Sequence, residues 1–389
     1  MKVFNTKVPI YSWAVNIENS AMTQALDIVE FMPVYDHLAL MPDVHMGMGM
    51  PIGGVLAMKD AICPNAVGVD IGCGMLAVKT NILSTGLGLE EQKQIYALIR
   101  KSVPVGFNKH EGFKEWEGFE TAPMDMPIIK REIDNARKQL GTLGGGNHFI
   151  EFQEGSDGHI WYMIHSGSRN IGKQICDHYN ALAKEAGETP LKDLSYFNMG
   201  TSEAIEYDIS MNFALDFAYA NRAEIARQIK IAITEIVGEA EFEEINIHHN
   251  YASLEMHGGE SVVVHRKGAT LATQDTTGII PGSQGTPSYI VKGKGNKTSF
   301  NSCSHGAGRV MSRTKATGLT RRGKRKFEAG ISVEDATKAM GGLLCRFDER
   351  NVDEAPQAYK DIREVMKAQE DLVEILVELN PYQISAIKG

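Results

Sequence analysis

His305 stands in the run Ser302-Cys303-Ser304-His305-Gly306-Ala307-Gly308-Arg309, an imidazole whose neighbours on both sides are small. A backbone this bare admits a phosphate to close range, so the ring is either a metal ligand or a nucleophile toward phosphorus. The surrounding charge favours the nucleophile. From Thr276 to Phe327 there is no Asp or Glu, while Lys292, Lys294, Lys297, Arg309, Arg313, Lys315, Arg321, Arg322, Lys324, Arg325 and Lys326 all fall in that window. In a chain of net charge -9, a segment so cleared of acids is expected to face a polyanion.

A second constellation has the chemistry of metal ligands. Asp70 and Cys73 lie three residues apart in the turn Val69-Asp70-Ile71-Gly72-Cys73-Gly74, where a carboxylate and a thiol can both point inward. His148 follows three glycines and Asn147, His165 precedes Ser166-Gly167-Ser168-Arg169, and His248-His249 precedes Asn250. Three imidazoles, a carboxylate and a thiolate suit two divalent ions with the sulfur as bridge. Any one of these histidines alone is more often a hydrogen-bonded structural residue, and a lone cysteine more often a small buried hydrophobe. Thiolate and imidazole lean toward zinc, and other divalent ions also fit the donors.

Four further segments have residues suited to anions. Ser166-Gly167-Ser168-Arg169-Asn170 opens a helix, and Pro281-Gly282-Ser283-Gln284-Gly285-Thr286-Pro287-Ser288 is a hydroxyl-rich loop; amides and hydroxyls in either can hold phosphate. Taken singly, a capped helix and an ordinary turn explain them better. His265-Arg266-Lys267-Gly268 reads by itself as a solvated basic turn. The run Arg321-Arg322-Gly323-Lys324-Arg325-Lys326 has no interleaved aromatics, so contact with a phosphate backbone suits it better than base stacking.

These residues need a large scaffold. Apolar periodicity predicts helices over Leu89–Val103, Ile128–Leu140, Asn170–Ala186 and Ser202–Val237, and a last one over Ala355–Leu379 with Tyr359, Ile362, Val365, Met366, Leu372, Ile375 and Leu376 toward its buried face. Strands are expected at Val67–Val69, Leu76–Val78, His148–Phe152, Ile160–Ile164, Ile245–Ile247 and Ser261–Val264. Glycine-rich turns recur at strand ends without a fixed period, and helices and strands do not alternate in βαβ order. The expectation is an α+β fold: one large mixed, layered domain over 1–389 with its functional loops at one face. With 43% hydrophobic and 23% charged residues the composition is that of a folded protein. Five cysteines argue against a disulfide framework, and no stretch approaches a membrane span, so the chain is read as cytoplasmic and without a membrane partner.

Together these residues resemble the RtcB family of RNA-splicing and RNA-repair ligases. The resemblance spans essentially the whole chain: Pro42-Asp43-Val44-His45, Val67 to Met75, Gly146 to Glu151, His165 to Arg169, His249-Asn250, His265 to Ala269, Pro281 to Ser283, His305 to Arg309, and Lys388-Gly389. It implies a GTP-dependent ligase that uses two manganese ions to join RNA ending in a 2′,3′-cyclic phosphate or 3′-phosphate to RNA with a 5′-hydroxyl, in tRNA splicing or RNA repair. By position, His305 becomes the guanylylated histidine and Cys73 the bridging ligand. Asp70 and His148 complete one metal site, His165 and His249 the other. Asn147, His148, Phe149, Ile150, Glu151, His249, Asn250, Pro281, Gly282, Ser283, Gln284, Ser288, Gly306, Ala307, Gly308, Tyr359 and Lys388 match nucleotide-binding positions, and Arg169, Arg309 and Arg313 match basic positions suited to RNA or phosphate. Manganese replaces the donor-based lean to zinc.

The implied chemistry opens the cyclic phosphate, loads guanylate onto His305, passes it to the RNA 3′-phosphate and seals with loss of GMP. Two other classes compete: a metal-dependent phosphohydrolase that acts on RNA ends without covalent guanylate, and a non-catalytic RNA-binding protein. Some members of the family work with an archease-type activator. Met48, Gly145 and Asn170 depart from common family patterns and leave substrate preference open.

Overall fold

The computed structural model describes residues 1–187, 189–320 and 323–388. Arg321, Arg322 and Gly389 therefore lie outside the described residues.

Two sheets carry the architecture. The first runs Lys2–Phe4, Ile10–Ser12, Val34–His45, Ile52–Met58, Glu260–Lys267, Asn250–His257, with the Ile10–Ser12 and Val34–His45 pair parallel and the other neighbours antiparallel. Its long central strands are apolar on both faces because both are covered. Leu38, Leu40 and Leu56 pack against the helix Asn19–Phe31, while Ala39, Met41, Val55 and Val264 pack against Ile280, Tyr289 and Val291 of the second sheet and against Val365.

The second sheet is antiparallel, in the order Phe242–His248, Gly74–Leu83, His159–Ser166, Phe149–Gly155, Val373–Pro381, Ser288–Gly293, Thr277–Ile280; the terminal strand Ile387–Lys388 also pairs with Phe149–Gly155. Leu76, Val78, Ile150, Phe152 and Ile164 face the helices Leu89–Ser102 and Ser202–Val237. Along the latter, Tyr207, Met211, Ala214, Phe217, Ala218, Ile225, Ile229 and Ile233 recur at three- and four-residue steps and are buried. Thr201 caps it by accepting from the Ala204 amide. Each large apolar side chain so buried contributes about 1.5–3 kcal/mol. Among the described residues no helix is long and apolar enough to cross a membrane.

The fold is α+β, as the element pattern predicts, and the four middle helices fall within a residue or two of their expected bounds. The last helix does not. Over Ala355–Leu379 the chain forms a 3₁₀ turn, a short helix Ile362–Ala368 and the strand Val373–Pro381. Val373-Glu374-Ile375-Leu376-Val377-Glu378-Leu379 has apolar residues at both helical and alternating spacing, and the exposed edges of Ser288–Gly293 and Phe149–Gly155 supply hydrogen bonds that decide for the strand. Val67–Val69 is likewise no strand: Pro64 opens a helical turn Pro64–Val67, and Gly68 at φ 103° sends the chain into the Asp70 turn.

His265, Arg266 and Lys267 are not a solvated turn. They occupy a strand inside the first sheet, at 0%, 0% and 6% exposure. Arg266 pairs with Glu255 and donates to Ser302 Oγ and the Phe300 carbonyl, and Lys267 donates to the Met48 and Asn65 carbonyls. By contrast, the described part of the 321–326 run, Gly323 to Lys326, is exposed.

Candidate active site

The order of the second sheet gathers the candidate ligands. Four neighbouring strands place His249 just after Phe242–His248, Cys73 just before Gly74–Leu83, His165 near the end of His159–Ser166, and His148 just before Phe149–Gly155. The register puts His248 opposite Gly74, Met75 opposite His165 and His165 opposite Phe149, so all four side chains emerge at one end of the sheet. Gly74 must be glycine, since a Cβ there would lie 2.0 Å from the Ile247 carbonyl oxygen.

Cys73 Sγ is 3.2 Å from His165 Nε2 and 3.6 Å from His148 Nε2, and the donor atoms of the three all lie within 4.8 Å of one another. His148 Nε2 is also 3.1 Å from Asp70 Oδ2. Each of these imidazoles directs its far nitrogen at a backbone carbonyl, His148 at Leu143 (2.8 Å) and His165 at Asn147 (3.1 Å), which turns Nε2 toward the thiol. The His249 ring lies 5.2 Å from that of His165, and its Nδ1 is buried with no hydrogen-bond partner among the described residues.

Burial holds His165 and His249 well below the ordinary histidine range, so both are neutral. Burial, then the Asp70 carboxylate, pushes the Cys73 thiol well above its usual value. Burial opposes ionisation of Asp70 as well, but His148 and Arg169 outweigh it and hold that carboxyl below its usual range. Neutral imidazoles, an unpartnered ring nitrogen and a thiol whose anion needs a nearby cation are what a divalent site requires, and the residues fit one.

His305 follows the short strand Ser302–Ser304, which pairs with Ala269–Leu271. Its ring is 4.8 Å from that of His249. Gly268, at φ 61°, makes room for it: a Cβ there would meet His305 Cε1 at 3.0 Å. His305 Nδ1 is 2.6 Å from Asp43 Oδ2, and its backbone amide donates to the same oxygen at 3.2 Å. Asp43 is fully buried, and Lys360 braces its strand by donating to the carbonyls of Pro42 (3.0 Å) and Val44 (2.6 Å). With Nδ1–H donated to the carboxylate, the lone pair of His305 sits on Nε2.

Beside His305 opens a cavity of about 270 Å³. Its walls include, from the expected nucleotide set, Asn147, Phe149, Glu151, Pro281, Gly282, Ser283, Gln284, Gly306, Ala307, Gly308, Tyr359 and Lys388, together with the candidate ligand His165 and the basic Arg309 and Arg313. Burial raises the Glu151 carboxyl to about 7, against the pull of Gln153 and Lys388. Lys388 Nζ pairs with Glu354 at 2.9 Å and lies 5.5 Å from the centre of the Phe149 ring. Arg309 stacks on Tyr359 and donates to its hydroxyl, which donates in turn to Glu354.

Other expected residues sit behind these walls. Ile150 is core, Asn250 bonds the Asp70 carbonyl and the Gly268 amide, and Ser288 accepts from the Gly282 amide and from Gln153. Arg169 does not line the cavity; its guanidinium donates to Thr142 Oγ1 and the Gly106 carbonyl. Asp43, His45 and Glu354 were not singled out by residue type. An isolated acid inside the apolar part of the strand Val34–His45 was the available signal for Asp43; Glu354 had none, because its three cationic partners, Arg309, Arg313 and Lys388, come from segments more than 30 residues away.

The model of the family described as tRNA-splicing ligase RtcB matches residues 24–389. RNA-splicing ligase RtcB of Escherichia coli K12 is 40% identical over 413 residues, covering 99% of this chain and 98% of its own. The tRNA-splicing ligase RtcB of Methanococcus maripaludis is 31% identical over 90% of this chain and 87% of its own. Sequence and site thus define an RNA-ligase class of enzyme. The chain belongs to the RtcB family.

Proposed function

We propose that this RtcB-family enzyme joins RNA bearing a 2′,3′-cyclic phosphate or 3′-phosphate to RNA bearing a 5′-hydroxyl, using GTP and manganese, through a guanylate carried on His305 Nε2. The observation that carries the reading is the pair of the buried Asp43 with His305, placed between a cluster of metal-type donors and a cavity walled by Glu151 and Lys388.

In this reading Glu151 and Lys388 hold the guanine, and the bare backbone of Gly306 to Gly308 admits the α-phosphate. Asp43 keeps the proton on Nδ1, so Nε2 forms the P–N bond as pyrophosphate leaves. An oxygen of the RNA 3′-phosphate then takes the guanylate, freeing His305, and the 5′-hydroxyl attacks the activated 3′-phosphorus as GMP departs. Arg309 and Arg313, on the same cavity, face the phosphates. Asp70, Cys73, His148, His165 and His249 would hold the two manganese ions, which when bound neutralise phosphate charge and polarise the reacting oxygens.

The test is incubation with α-labelled GTP followed by a denaturing gel, for the native chain and His305→Ala. Metal-dependent label on the native protein, absent from the variant, is the expected result. Phosphate released from RNA ends without GTP and without labelled protein would instead make the chain a phosphohydrolase.

A further inference from the structure

Arg222, in the middle of the Ser202–Val237 helix, is among the largest side chains with no solvent exposure. Burial lowers its pKa only to about 10, so it remains a cation. Its donors are spent at one place. Nε donates to Asn246 Oδ1 (2.7 Å) and Nη1 to the carbonyls of Gly72 (2.9 Å) and Ser166 (3.0 Å), while Nη2 lies 3.2 Å from His248 Nδ1, which is itself 3.1 Å from the Gly72 carbonyl.

Three of these neighbours share a property: Gly72 precedes Cys73, Ser166 follows His165, and His248 precedes His249. One guanidinium therefore ties together three turns, from three neighbouring strands, each holding one candidate ligand. Gly74 allows the approach, since a Cβ there would stand 2.9 Å from Nη1. His148 and Asp70 receive no hydrogen bond from this side chain.

We propose that Arg222 is the positioning residue that sets the spacing of Cys73, His165 and His249, and thereby the metal affinity of the site. The inference rests on the metal site of the proposed function. A planar fork with five donors at fixed angles can hold three turns at once; a lysine ammonium, with one nitrogen, cannot. A helix side chain thus converts the packing of Ser202–Val237 on the sheet into ligand geometry, as outer-shell partners do for metal ligands generally.

The test is titration of the metal-free protein with cobalt(II), followed by thiolate-to-cobalt charge-transfer absorption, with melting temperature recorded before and after metal. Arg222→Lys is expected to weaken cobalt binding roughly 10- to 100-fold and to dim the thiolate band. A merely structural role would lower the melting temperature of the metal-free protein and leave the metal-induced rise and the affinity as they are. Asn246→Ala, which frees Nε but leaves the cation in place, is expected to weaken binding in the same direction and to a smaller extent; it carries the test if Arg222→Lys does not fold. Native affinity and band intensity in the folded variants overturn the proposal. If the native chain itself binds no cobalt, the metal reading falls first, and the inference with it.

Discussion

Asp43 Oδ2 lies 2.6 Å from His305 Nδ1 although 262 residues separate them in the chain. The other oxygen, Oδ1, is buried with no hydrogen-bond partner among the described residues, so the carboxylate is committed to the histidine side chain and amide. Asp43→Asn keeps the shape and removes the charge that fixes the ring tautomer. It is expected to slow guanylylation by roughly 10²- to 10⁴-fold, as loss of the orienting acid does in other nucleophile–acid pairs, with metal content unchanged. Label transfer from α-labelled GTP measures it, and a native rate in Asp43→Asn would show that the pair does not activate His305.

Cys73 lies between His148 and His165, so its loss would disturb any ion that these donors hold. Cys73→Ala is expected to lower the bound metal per chain and to eliminate both guanylylation and joining. Elemental analysis after gel filtration reads the first effect; full occupancy in the variant would remove cysteine from the ligand set.

Glu151 supplies a pH signature. Its folded pKa, about 7, stands above the ordinary carboxyl value, so the folded state holds the extra proton between about 4.5 and 7. Its ionisation therefore takes stability away as pH rises through that window, and none further above it. If the ionised carboxylate accepts from guanine, GTP affinity should rise with pH through about 7. Glu151→Gln should bind weakly at every pH, with that dependence gone. Calorimetric titration at pH 5.5, 7 and 8 decides, and a pH-independent native affinity would take Glu151 out of base recognition.

Lys388 stands on the cavity wall beside Phe149, where an ammonium can donate to the guanine carbonyl and not to the adenine amino group. Lys388→Ala should weaken guanylylation and narrow the preference for GTP over ATP, with manganese binding unaltered. Discrimination by such buried polar contacts reaches on the order of 10⁴-fold. Unchanged rejection of ATP would move specificity to Glu151 and the Ser283 loop.

Glu354 carries stability through the same cluster. Burial opposes its charge, but Lys388 and Arg313 overcome it and hold the carboxyl at about 2. A depressed folded pKa contributes stability above about 4.5, which is lost as pH falls toward 2. Glu354→Gln removes the carboxylate that faces Lys388, Arg309 and Arg313, of which Arg313 retains Asp353, and should cost about 3 kcal/mol at pH 7, with the difference from the native chain shrinking at pH 3. Urea unfolding at the two pH values measures both. An equal cost at the two would mean that the loss is one of packing and not of charge.

What the amino-acid sequence determined by itself is whatever depends on a short window of chain. The period of Ser202–Val237, the glycines that bare His305 and the Asp70-x-x-Cys73 turn are local, and each was legible. So were most of the cavity's residues, through runs that resemble a known family. Tertiary structure decided the partners. Whether Val373–Pro381 is helix or strand depended on two neighbouring strands with hydrogen bonds to give. Whether His265-Arg266-Lys267 is wet or buried depended on the strands that flank it. Asp43, Glu354 and Arg222 acquire their roles from groups brought beside them by sheet order and helix packing, and no local pattern records such a pairing. A charge buried this way is tolerated only where its acceptors already wait, and in this chain they wait on segments far away in sequence.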